Sequence, residues 1–394
     1  MRSIKDEVAI VGMGCTKFGE NWDMGEVDII VEAAYEAFED AGIEPKDIQA
    51  AWVGTLESGW MGLTLSGPLK LQYIPVTRVE NMCGTAMDAV RGATYAIASG
   101  ACDIALALGF EKLKNFPGQR TPVEIVRTPV GEHFVPATRI FAMAATRYFY
   151  QYGLSPEEGK MLLAQISVKN HHNGTMHPKA HLRRDITVEQ VMNAPMIVWP
   201  LGLFDCCALS DGAAAAVLCR ADMAKNFRSD PVYIKSLQIC AGPREGSMRT
   251  DYDFVHMEES TRCAKAAYAE AGIKDPYKEL SSAEVHDCFS IHELIIYEDM
   301  GWCPRGKARE LVESGATALN GELPVNTDGG LKCFGHPAGA SGLRMIYELY
   351  NQLRGKADSR QVKDPRLGLA HNMGGVPGGG LASIAIVGNE LGYP

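Results

Sequence analysis

The beginning of the chain alternates between short apolar runs and amphipathic stretches. Three apolar runs bounded by glycine or charge are typical of buried strands: VAIVGMG (8–14), AAWVGTL (50–56) and CDIALALGFEK (102–112). Two other stretches have apolar residues at helical spacing and end in glycine, VDIIVEAAYEAFEDAG (27–42) and CGTAMDAVRGATYAIASG (83–100). Because strands alternate with helices, the pattern predicts an α/β fold.

The second half of the chain repeats this order of elements. EAAYEAFEDAGIEPKDI (32–48) is similar to CAKAAYAEAGIKDPYKEL (263–280), and an apolar run follows each. The small-residue turn and helix at 82–100 have a counterpart at 333–355. Chance similarity between alanine-rich helices is the alternative, but the matched order of several elements favours a repeat. We therefore predict two similar α/β halves packed face to face.

The repeat also suggests how the chain divides. Prolines, histidines and arginines become frequent at 116–199, which we interpret as an inserted loop or lid region. The buried-strand pattern returns with SDGAAAAVLCRAD at 210–222. The predicted first half comprises 1–115 and 200–230, and the second half is 231–394.

Composition and charge exclude several classes of protein. The formal net charge of −10 argues against a nucleic-acid partner, which requires a basic face. The N-terminal apolar run is too short for a signal peptide, and no run reaches the length of a membrane span, so we expect no membrane contact. The 11 cysteines are odd in number and have no CxxC spacing. This usage predicts free thiols and a reducing, cytoplasmic compartment.

Cys83 is the first candidate for chemistry, in the stretch VENMCGTAMDAVRGA (79–93). It lies where the predicted helix begins, so free backbone N–H groups and the helix dipole favour a thiolate. The glycine that follows leaves room for a substrate. The alternative is an inert buried cysteine, and this stretch alone does not separate the two.

A second candidate group lies at the end of a predicted strand, in AEVHDCFSIHE (283–293). The carboxyl ends of strands are where open α/β sheets usually place function. His286 can donate a hydrogen bond to a developing oxyanion, and Cys288 is a candidate acid/base. We interpret His292, on the next helical turn, as structural. In the alternative interpretation Asp287 caps a helix beside a satisfied histidine.

Glycine-rich segments supply the remaining candidates. GGLKCFGHPAGASG (329–342) surrounds His336 with small residues, and a histidine beside a thiol is the usual way to activate it. AHNMGGVPGGG (370–380) reads as a glycine loop before a terminal strand, which would cradle phosphate or form an oxyanion hole. The histidine run at 171–181 contains a proline and lacks a nearby carboxylate, so we predict a surface loop and no metal site.

Taken together, NMCGTAMDAV, SDGAAAAVL, HDCF, GGLKCFGHPAGASG and HNMGGVPGGG resemble the thiolase superfamily, in the right order over nearly the whole chain. The resemblance implies two βαβαβαββ halves stacked as a five-layer α-β-α-β-α sandwich, with an inserted lid. It also implies a dimer or a dimer of dimers. Within the superfamily the chain is most similar to the sterol-carrier-protein type and its archaeal and bacterial relatives, which include the large subunits of benzoylsuccinyl-CoA thiolases.

The resemblance implies a role for each candidate residue. Cys83 would accept the acyl group, and His336 would activate it and contribute to an oxyanion hole. His286 would replace an asparagine found in many thiolases. Those enzymes carry a second catalytic cysteine where this chain has HNMGG, so Cys288 would take the acid/base role. The backbone around Gly374 and Gly375 would complete a second oxyanion hole with the N–H of Cys83.

The implied activity is acyl-CoA C-acyltransfer, the cleavage of a 3-oxoacyl-CoA by CoA through an acyl-cysteine. CoA and acyl-CoA are substrates, and no permanently bound cofactor is expected. A small zinc-ribbon/OB-fold protein is expected as a partner in trans. The substrate is either bulky or aromatic, such as benzoylsuccinyl-CoA, or it is acetoacetyl-CoA, formed in the condensing direction. The segment 57–73 either lines the pocket for an aromatic acyl group or packs in the core. A retro-aldolase of the same fold and a non-catalytic acyl-CoA scaffold are the rival functions.

Overall fold

The computed structural model describes residues 3–114, 123–128 and 131–394. Two stretches at the beginning of the predicted insertion, 116–122 and 129–130, lie outside the described residues. The strands are β1 (Val8–Cys15), β2 (Ala50–Gly54), β3 (Val76–Val79), β4 (Ile104–Glu111), β5 (Val123–Thr128), β6 (Gly131–Pro136), β7 (Met196–Val198), β8 (Leu201–Gly202), β9 (Gly212–Arg220), β10 (Val232–Ala241), β11 (Ser282–Val285), β12 (Leu367–Val376) and β13 (Gly379–Gly388). The helices are α1 (Glu26–Ala41), α2 (Leu63–Ser66), α3 (Thr85–Ala98), α4 (Ala137–Gln151), α5 (Pro156–Thr175), α6 (Val188–Met192), α7 (Glu245–Met248), α8 (Glu258–Ala271), α9 (Pro276–Glu279), α10 (Ser290–Asp299), α11 (Ala308–Glu313), α12 (Gly330–Cys333) and α13 (Ser341–Leu353).

Nine of the described strands form one mixed sheet in which the two halves of the chain have the same strand order. The first half contributes β3-β2-β4-β9-β1, and the second contributes β10-β13-β12-β11. In each half the β2–β4 or β11–β12 pair is parallel, and the next two pairs are antiparallel. β1 and β10 join the halves through two residue pairs. This topology confirms the predicted repeat.

Helices divide the molecule into five layers. α1 packs Phe38 and its other apolar side chains on the outer face of the first half. α3 and α13 lie together between the halves, and α8 covers the outer face of the second half. Because side chains alternate along a strand, Ala9 of β1 contacts the α1 layer while Val8 contacts the central helices. The α-β-α-β-α sandwich is therefore confirmed.

Most predicted elements lie where the hydrophobic pattern put them. The predicted helix at 27–42 is α1, which ends at Gly42 with φ of 70°, a left-handed conformation that favours glycine. The predicted helix at 83–100 is α3, two residues shorter at each end. In the described residues no helix has both the length and the apolar character that a membrane crossing requires.

Two local predictions are wrong. The glycine-rich segment 370–380 is not a loop, because β12 and β13 form a hairpin in which Gly374 pairs with Leu381 and Gly375 with Gly380. The histidine run at 171–181 is not a surface loop. His171 lies on α5, and His177 is buried with its ring centroid 4.6 Å from that of Phe334. Both errors arise because glycine and histidine content suggests loops, while packing between elements decides burial.

Candidate active site

Cys83 lies in a tight turn between β3 and α3. The preceding residue, Met82, has φ of 52°, a strained conformation for a residue with a side chain. Thr85 holds this turn because its Oγ accepts from the Asn81 N–H at 2.8 Å and donates to the Met82 carbonyl at 2.5 Å. Gly84 is the N-cap of α3, so Cys83 stands immediately before the helix. The turn therefore presents the buried thiol at the helix N-terminus.

His336 contacts this thiol from the other half of the molecule. Its Nε2 lies 3.2 Å from Cys83 Sγ, and its Nδ1 lies 2.7 Å from Ser341 Oγ. Ser341 donates its only hydroxyl proton to the Pro337 carbonyl, so its oxygen accepts from Nδ1–H. The lone pair of Nε2 is then directed at the thiol. This is the arrangement of a general base beside a nucleophile.

The loop that carries His336 is anchored by a carboxylate of the HDCF motif. Asp287 accepts hydrogen bonds from the backbone N–H groups of Leu331, at 2.6 Å, and Lys332, at 3.3 Å. A Cβ on Gly330 would approach the Asp287 carboxylate to 2.5 Å, so only glycine fits there. Asp287 therefore caps α12. The helix cap that the sequence offered as the alternative role of Asp287 is present, and it lies beside the candidate residue His286.

His286 lies at the end of β11 and is buried. The Met373 N–H, which can only donate, lies 3.3 Å from His286 Nδ1, and Asn372 Nδ2 lies 2.9 Å from the same atom. Nδ1 is therefore an acceptor, and the neutral ring carries its proton on Nε2. Ring nitrogens of His286 and His336 and the Cys83 sulfur lie within 4.8 Å of one another. His286 can thus donate a hydrogen bond to an oxyanion formed beside Cys83.

Cys288 and the glycines of β12 complete the group. Cys288 is buried, and its sulfur lies 3.6 Å from His292 Nδ1. Gly374 lies against the nucleophile turn, where a Cβ would come within 2.2 Å of the Asn81 carbonyl oxygen. Gly375 has φ of 97°, which favours glycine. The close approach brings the end of β12 to Cys83, although the role of its backbone N–H in an oxyanion hole stays a prediction.

Burial reverses the charge state that the sequence suggested for Cys83. It raises the pKa of the Cys83 thiol to about 12, and the Glu111 carboxylate adds to the effect. Burial also lowers the pKa of His336 to about 3, helped by Arg344. Desolvation thus opposes the thiolate predicted at the helix N-terminus. We expect the resting pair to be a neutral thiol and a neutral imidazole.

We expect acylation of Cys83 to be nearly independent of pH from 5.5 to 8.5. A raised thiol pKa keeps Cys83 protonated throughout this window, and a lowered histidine pKa keeps His336 neutral. The single-turnover rate with acetyl-CoA should vary by less than about threefold, since neither group titrates. Rapid quenching and mass measurement give this rate. An inflection near the ordinary histidine pKa would contradict the neutral pair.

We expect Ser341→Ala to slow acylation about tenfold. The change leaves His336 Nδ1–H without its buried acceptor, which costs about 1–2 kcal/mol and permits the wrong tautomer. Ser167→Ala is the matched control, because Ser167 is also buried, donates to the Leu163 carbonyl at 3.1 Å and lies 2.8 Å from Ser290 Oγ, so its loss leaves the Ser341–His336 hydrogen bond in place. Equal rates for the two variants would show that Ser341 does not orient the histidine.

Two overlapping groups of described residues have ligand atoms close enough for a metal ion. They are Cys83, His286 and His336, and His286, Cys288 and His292. Thiolate and imidazole suit zinc. However, the Cys83–His336 contact and the hydrogen bond from Met373 to His286 already engage these atoms. The expectation of no resident metal therefore stays a prediction.

Several residues that the sequence analysis did not assign also lie at the site. Ser341 and Asn372 orient the two histidines. His292, interpreted from sequence as structural, contacts the Cys288 sulfur. Cys207 lies beside them, since its N–H donates to the Cys288 carbonyl at 2.9 Å. Two signals in the sequence were available for these residues, the i, i+4 spacing of Cys288 and His292 and the position of Asn372 in HNMGG, where it could be a ligand or a turn residue.

The chain matches two family profiles and several named proteins. The profile described as "Thiolase, N-terminal domain" matches residues 8–222, and "Thiolase C-terminal domain-like" matches 243–387. An acetyl-CoA acetyltransferase of Methanothermobacter thermautotrophicus is 37% identical, covering 96% of this chain and 99% of the relative. Sterol carrier protein 2 of Gallus gallus is 32% identical, covering 93% and 69%. Benzoylsuccinyl-CoA thiolase subunit BbsB of Thauera aromatica is 32% identical, covering 94% and 96%.

Solved structures agree with these relatives. The Ltp2-ChsH2(DUF35) aldolase has a TM-score of 0.86 at 25% identity and covers 98% of this chain and 99% of that one. The Acat5 thiolase from Ascaris suum, in complex with coenzyme A, has a TM-score of 0.70 at 19% identity and covers 98% and 100%. The second similarity shows the fold alone. The family profiles and the relatives show that the chain belongs to the thiolase family, as an acyltransferase of the sterol-carrier-protein type.

Proposed function

We propose that this protein cleaves a 3-oxoacyl-CoA with CoA through an acyl-Cys83 intermediate, and catalyses the reverse Claisen condensation. The observation that carries the proposal is the 3.2 Å contact between Cys83 Sγ and the lone pair of His336 Nε2. The protonated Nε2 of His286 beside the same sulfur supports it. A nucleophile, a base and an oxyanion donor are the three groups that acyl transfer requires.

The first half of the reaction forms the acyl-enzyme. His336 takes the Cys83 proton as the sulfur attacks the 3-keto carbon. The Cα–Cβ bond then breaks, and its electron pair enters the enolate of the shortened CoA ester. His286 and the newly protonated His336 donate hydrogen bonds to the enolate oxygen, and Cys288 protonates its carbon. Donors already in place for charge that develops only in the transition state lower the barrier.

The second half transfers the acyl group to CoA. The Cys288 thiolate takes the proton of the incoming CoA thiol, and the CoA sulfur attacks the acyl-Cys83 carbonyl. The oxyanion of this step forms between the N–H of Cys83 and the backbone around Gly374 and Gly375. The 2.2 Å approach that a Cβ on Gly374 would make to the nucleophile turn supports this second hole. Collapse of the tetrahedral intermediate returns the Cys83 proton from His336.

A substrate panel tests the proposed function. Acetoacetyl-CoA, a longer 3-oxoacyl-CoA and benzoylsuccinyl-CoA are each incubated with the protein and free CoA, and products are identified by mass. The 37% identical acetyl-CoA acetyltransferase favours acetoacetyl-CoA, and the 32% identical benzoylsuccinyl-CoA thiolase subunit favours the aromatic substrate. CoA-dependent formation of two acyl-CoAs is the expected result. A 3-hydroxyacyl-CoA is incubated separately without CoA, and its cleavage would instead identify a retro-aldolase.

The similarity to the Ltp2-ChsH2(DUF35) aldolase makes a retro-aldolase the main rival function. A retro-aldolase needs no nucleophilic cysteine, and a scaffold needs no base. The Cys83–His336 contact and the separate Cys288 favour the thiolase over both. Alkylation separates the scaffold from an enzyme, because His336 should accelerate the reaction of Cys83 with iodoacetamide. An unchanged rate in His336→Asn would favour the scaffold.

We propose that a second copy of the chain binds along β3, which ends the sheet. An edge strand has a free row of hydrogen-bonding groups, and the adjoining surface is apolar. Trp60 is 90% exposed, Leu63 is 70% exposed, and Tyr73 is also exposed.

Within the segment 57–73, Leu65, Leu69 and Leu71 are buried in the core of the first half. In contrast, Met61, Leu63 and Tyr73 line an open cleft beside β3. The segment therefore contributes to the core, and a role in binding the acyl group stays a prediction.

We expect the wild type to sediment as a dimer and Trp60→Glu/Leu63→Glu to sediment as a monomer, because the introduced charges would be buried unpaired at the interface. Met248→Glu, at another exposed apolar residue, is the matched control and should stay dimeric. Sedimentation velocity gives the state of each. A monomeric wild type would contradict the proposal.

Three further proposals concern the surroundings of the site. The DUF35 protein bound to the related aldolase supports a small partner protein in trans, expected here as a zinc-ribbon/OB-fold subunit. The CoA bound to the Ascaris thiolase supports CoA as substrate. All 11 cysteines are free, which supports a reducing, cytoplasmic location.

The division of the chain also remains our proposal, with halves at 1–115 plus 200–230 and at 231–394 and a lid at 116–199. The lid is supported by contacts from α5 to the second half. Asn170 Nδ2 donates to Asp287 Oδ2 at 2.8 Å, and Lys169 Nζ lies 2.5 Å from Glu293 Oε1. The insertion thereby contacts the carboxylate that anchors the His336 loop.

A further inference from the structure

His292 has a specific polar contact that the reaction above does not use. It lies on the first turn of α10, four residues after Cys288, and its side chain is fully buried. Its Nδ1 lies 3.6 Å from the Cys288 sulfur, within hydrogen-bonding distance for sulfur. Its Nε2 has no hydrogen-bond partner among the described residues. The thiol is therefore the polar group that the ring is placed to serve.

The packing fixes this ring in place. The ring of Phe141 lies 5.1 Å from that of His292, and the ring of His286 lies 5.2 Å away on a T-shaped contact. His371 is 6.1 Å away and is itself held by Ser260. These rings restrict the rotamers of His292, so its Nδ1 stays directed at the Cys288 sulfur. Such restraint is what a positioning residue requires.

The chemistry of Cys288 creates a need for such a residue. Burial raises the pKa of the Cys288 thiol well above its usual value, and Cys207, Cys83 and Asp287 raise it further, while Lys332 lowers it. In the proposed reaction this thiol must give its proton to the enolate carbon and remain a thiolate until CoA arrives. A buried thiolate without a hydrogen-bond donor is costly. Burial lowers the pKa of His292 well below its usual value, so the ring stays neutral and can carry one proton on Nδ1.

We propose that His292 is a positioning residue that orients Cys288 and stabilises its thiolate by donating Nδ1–H to the sulfur. This inference rests on the proposed acid/base role of Cys288. When the Cys288 S–H bond breaks and the C–H bond of the acyl-CoA product forms, the hydrogen bond from Nδ1 becomes charge-assisted and shortens. When the CoA thiol returns a proton, the bond relaxes. His292 itself gains and loses no proton.

Two amide substitutions test the direction of this hydrogen bond. In His292→Asn the amide nitrogen takes the position of Nδ1, whereas in His292→Gln it reaches toward Nε2. Exchange of the C2 protons of acetyl-CoA in D₂O reports proton transfer by Cys288, and alkylation of Cys83 by iodoacetamide reports the Cys83–His336 pair without a step at Cys288. We expect His292→Gln to slow exchange about 10- to 100-fold and alkylation of Cys83 less than about threefold. His292→Asn should recover exchange to within about fivefold of the wild type.

The double variant shows whether the effect passes through Cys288. Adding His292→Gln to Cys288→Ala should cause no further loss of exchange, because the sulfur that His292 serves is already absent. A further loss there would overturn the proposal, as would equal loss in the asparagine and glutamine variants. Equal slowing of Cys83 alkylation and of exchange in His292→Gln would identify a structural role only.

A readout without turnover separates this inference from the proposed function. Peptide-resolved alkylation by iodoacetamide against pH gives the apparent pKa of Cys288 in the free protein. His292→Gln should raise it and His292→Asn should not. Cys83, Cys207, Asp287 and Lys332 face the same thiol, and His286 and His371 face His292, so these groups are kept unchanged. An unchanged Cys288 profile overturns the role of His292, whereas absence of acyl-Cys83 in the wild type overturns the thiolase proposal.

Discussion

Cys83→Ala should lose CoA-dependent cleavage by about 10⁴-fold or more, because the acyl-enzyme has no attachment atom. The remaining donors, His286 and His336, bind and polarise the substrate but cannot divide the reaction into two steps. Substrate affinity should change little, since the sulfur contributes to the transition state rather than to ground-state binding. Steady-state rates at saturating CoA, with product masses, give the measurement.

Cys219→Ala is the control for the loss of a buried thiol. Cys219 lies in β9 and is fully buried, and its thiol donates to the neighbouring Arg220 carbonyl at 3.3 Å. It should retain wild-type turnover within a few-fold. A Cys83→Ala protein that still cleaves substrate would favour the retro-aldolase, which does not pass through an acyl-enzyme.

Arg344→Leu should lower the free energy of unfolding by about 3–5 kcal/mol, because it leaves buried carboxylates without a counter-charge. Arg344 is fully buried in α13, and its guanidinium lies 2.7 Å from Glu284 and 2.5 Å from Asp328. Burial raises the pKa of Glu284 well above its usual value. For Asp328, burial acts the same way, but Arg344 outweighs it and keeps the pKa lowered. Urea unfolding followed by tryptophan fluorescence measures the loss.

The deficit of Arg344→Leu should be smaller at pH 5 than at pH 8. Without the guanidinium both carboxyls have pKa values above those of the unfolded chain, so the folded state holds more protons and loses stability as the pH rises. Arg262→Leu is the matched control, since Arg262 forms a largely exposed pair with Glu258 and should cost less than about 1 kcal/mol. Equal losses in the two variants would show that the buried cluster does not stabilise the fold.

The local pattern of apolar and polar residues was enough to predict most helices and strands and the repeat, because the periodicity of a helix or strand depends on neighbouring residues. It was not enough for the contacts of Cys83. The partner His336 is 253 positions away, so the resemblance to a family supplied the pairing that spacing could not. Desolvation opposes the predicted thiolate for a related reason. A helix N-terminus is visible in sequence, whereas the burial that raises the pKa of Cys83 depends on the whole fold.

The same distinction explains the other errors. Glycine has a low strand propensity, so the sequence predicts a loop at Gly374 and Gly375. Their pairing with β13 outweighs this low propensity and makes the segment a strand. His292 lies at a position with apolar helical spacing, which predicts a core residue. Only the contact of its Nδ1 with the Cys288 sulfur indicates a functional role. Tertiary contacts, rather than residue type, assign these groups.

The central claim is that Cys83 carries the acyl group during turnover. The most direct measurement is the mass of the Cys83 peptide after mixing the protein with acetyl-CoA, acetoacetyl-CoA or benzoyl-CoA and quenching in acid, with Cys83→Ala treated alongside. We expect an acyl mass increment on that peptide, removed by added CoA and absent from the variant. Binding of the acyl-CoA with no increment, or an increment only on Cys288 or Cys207, would contradict it.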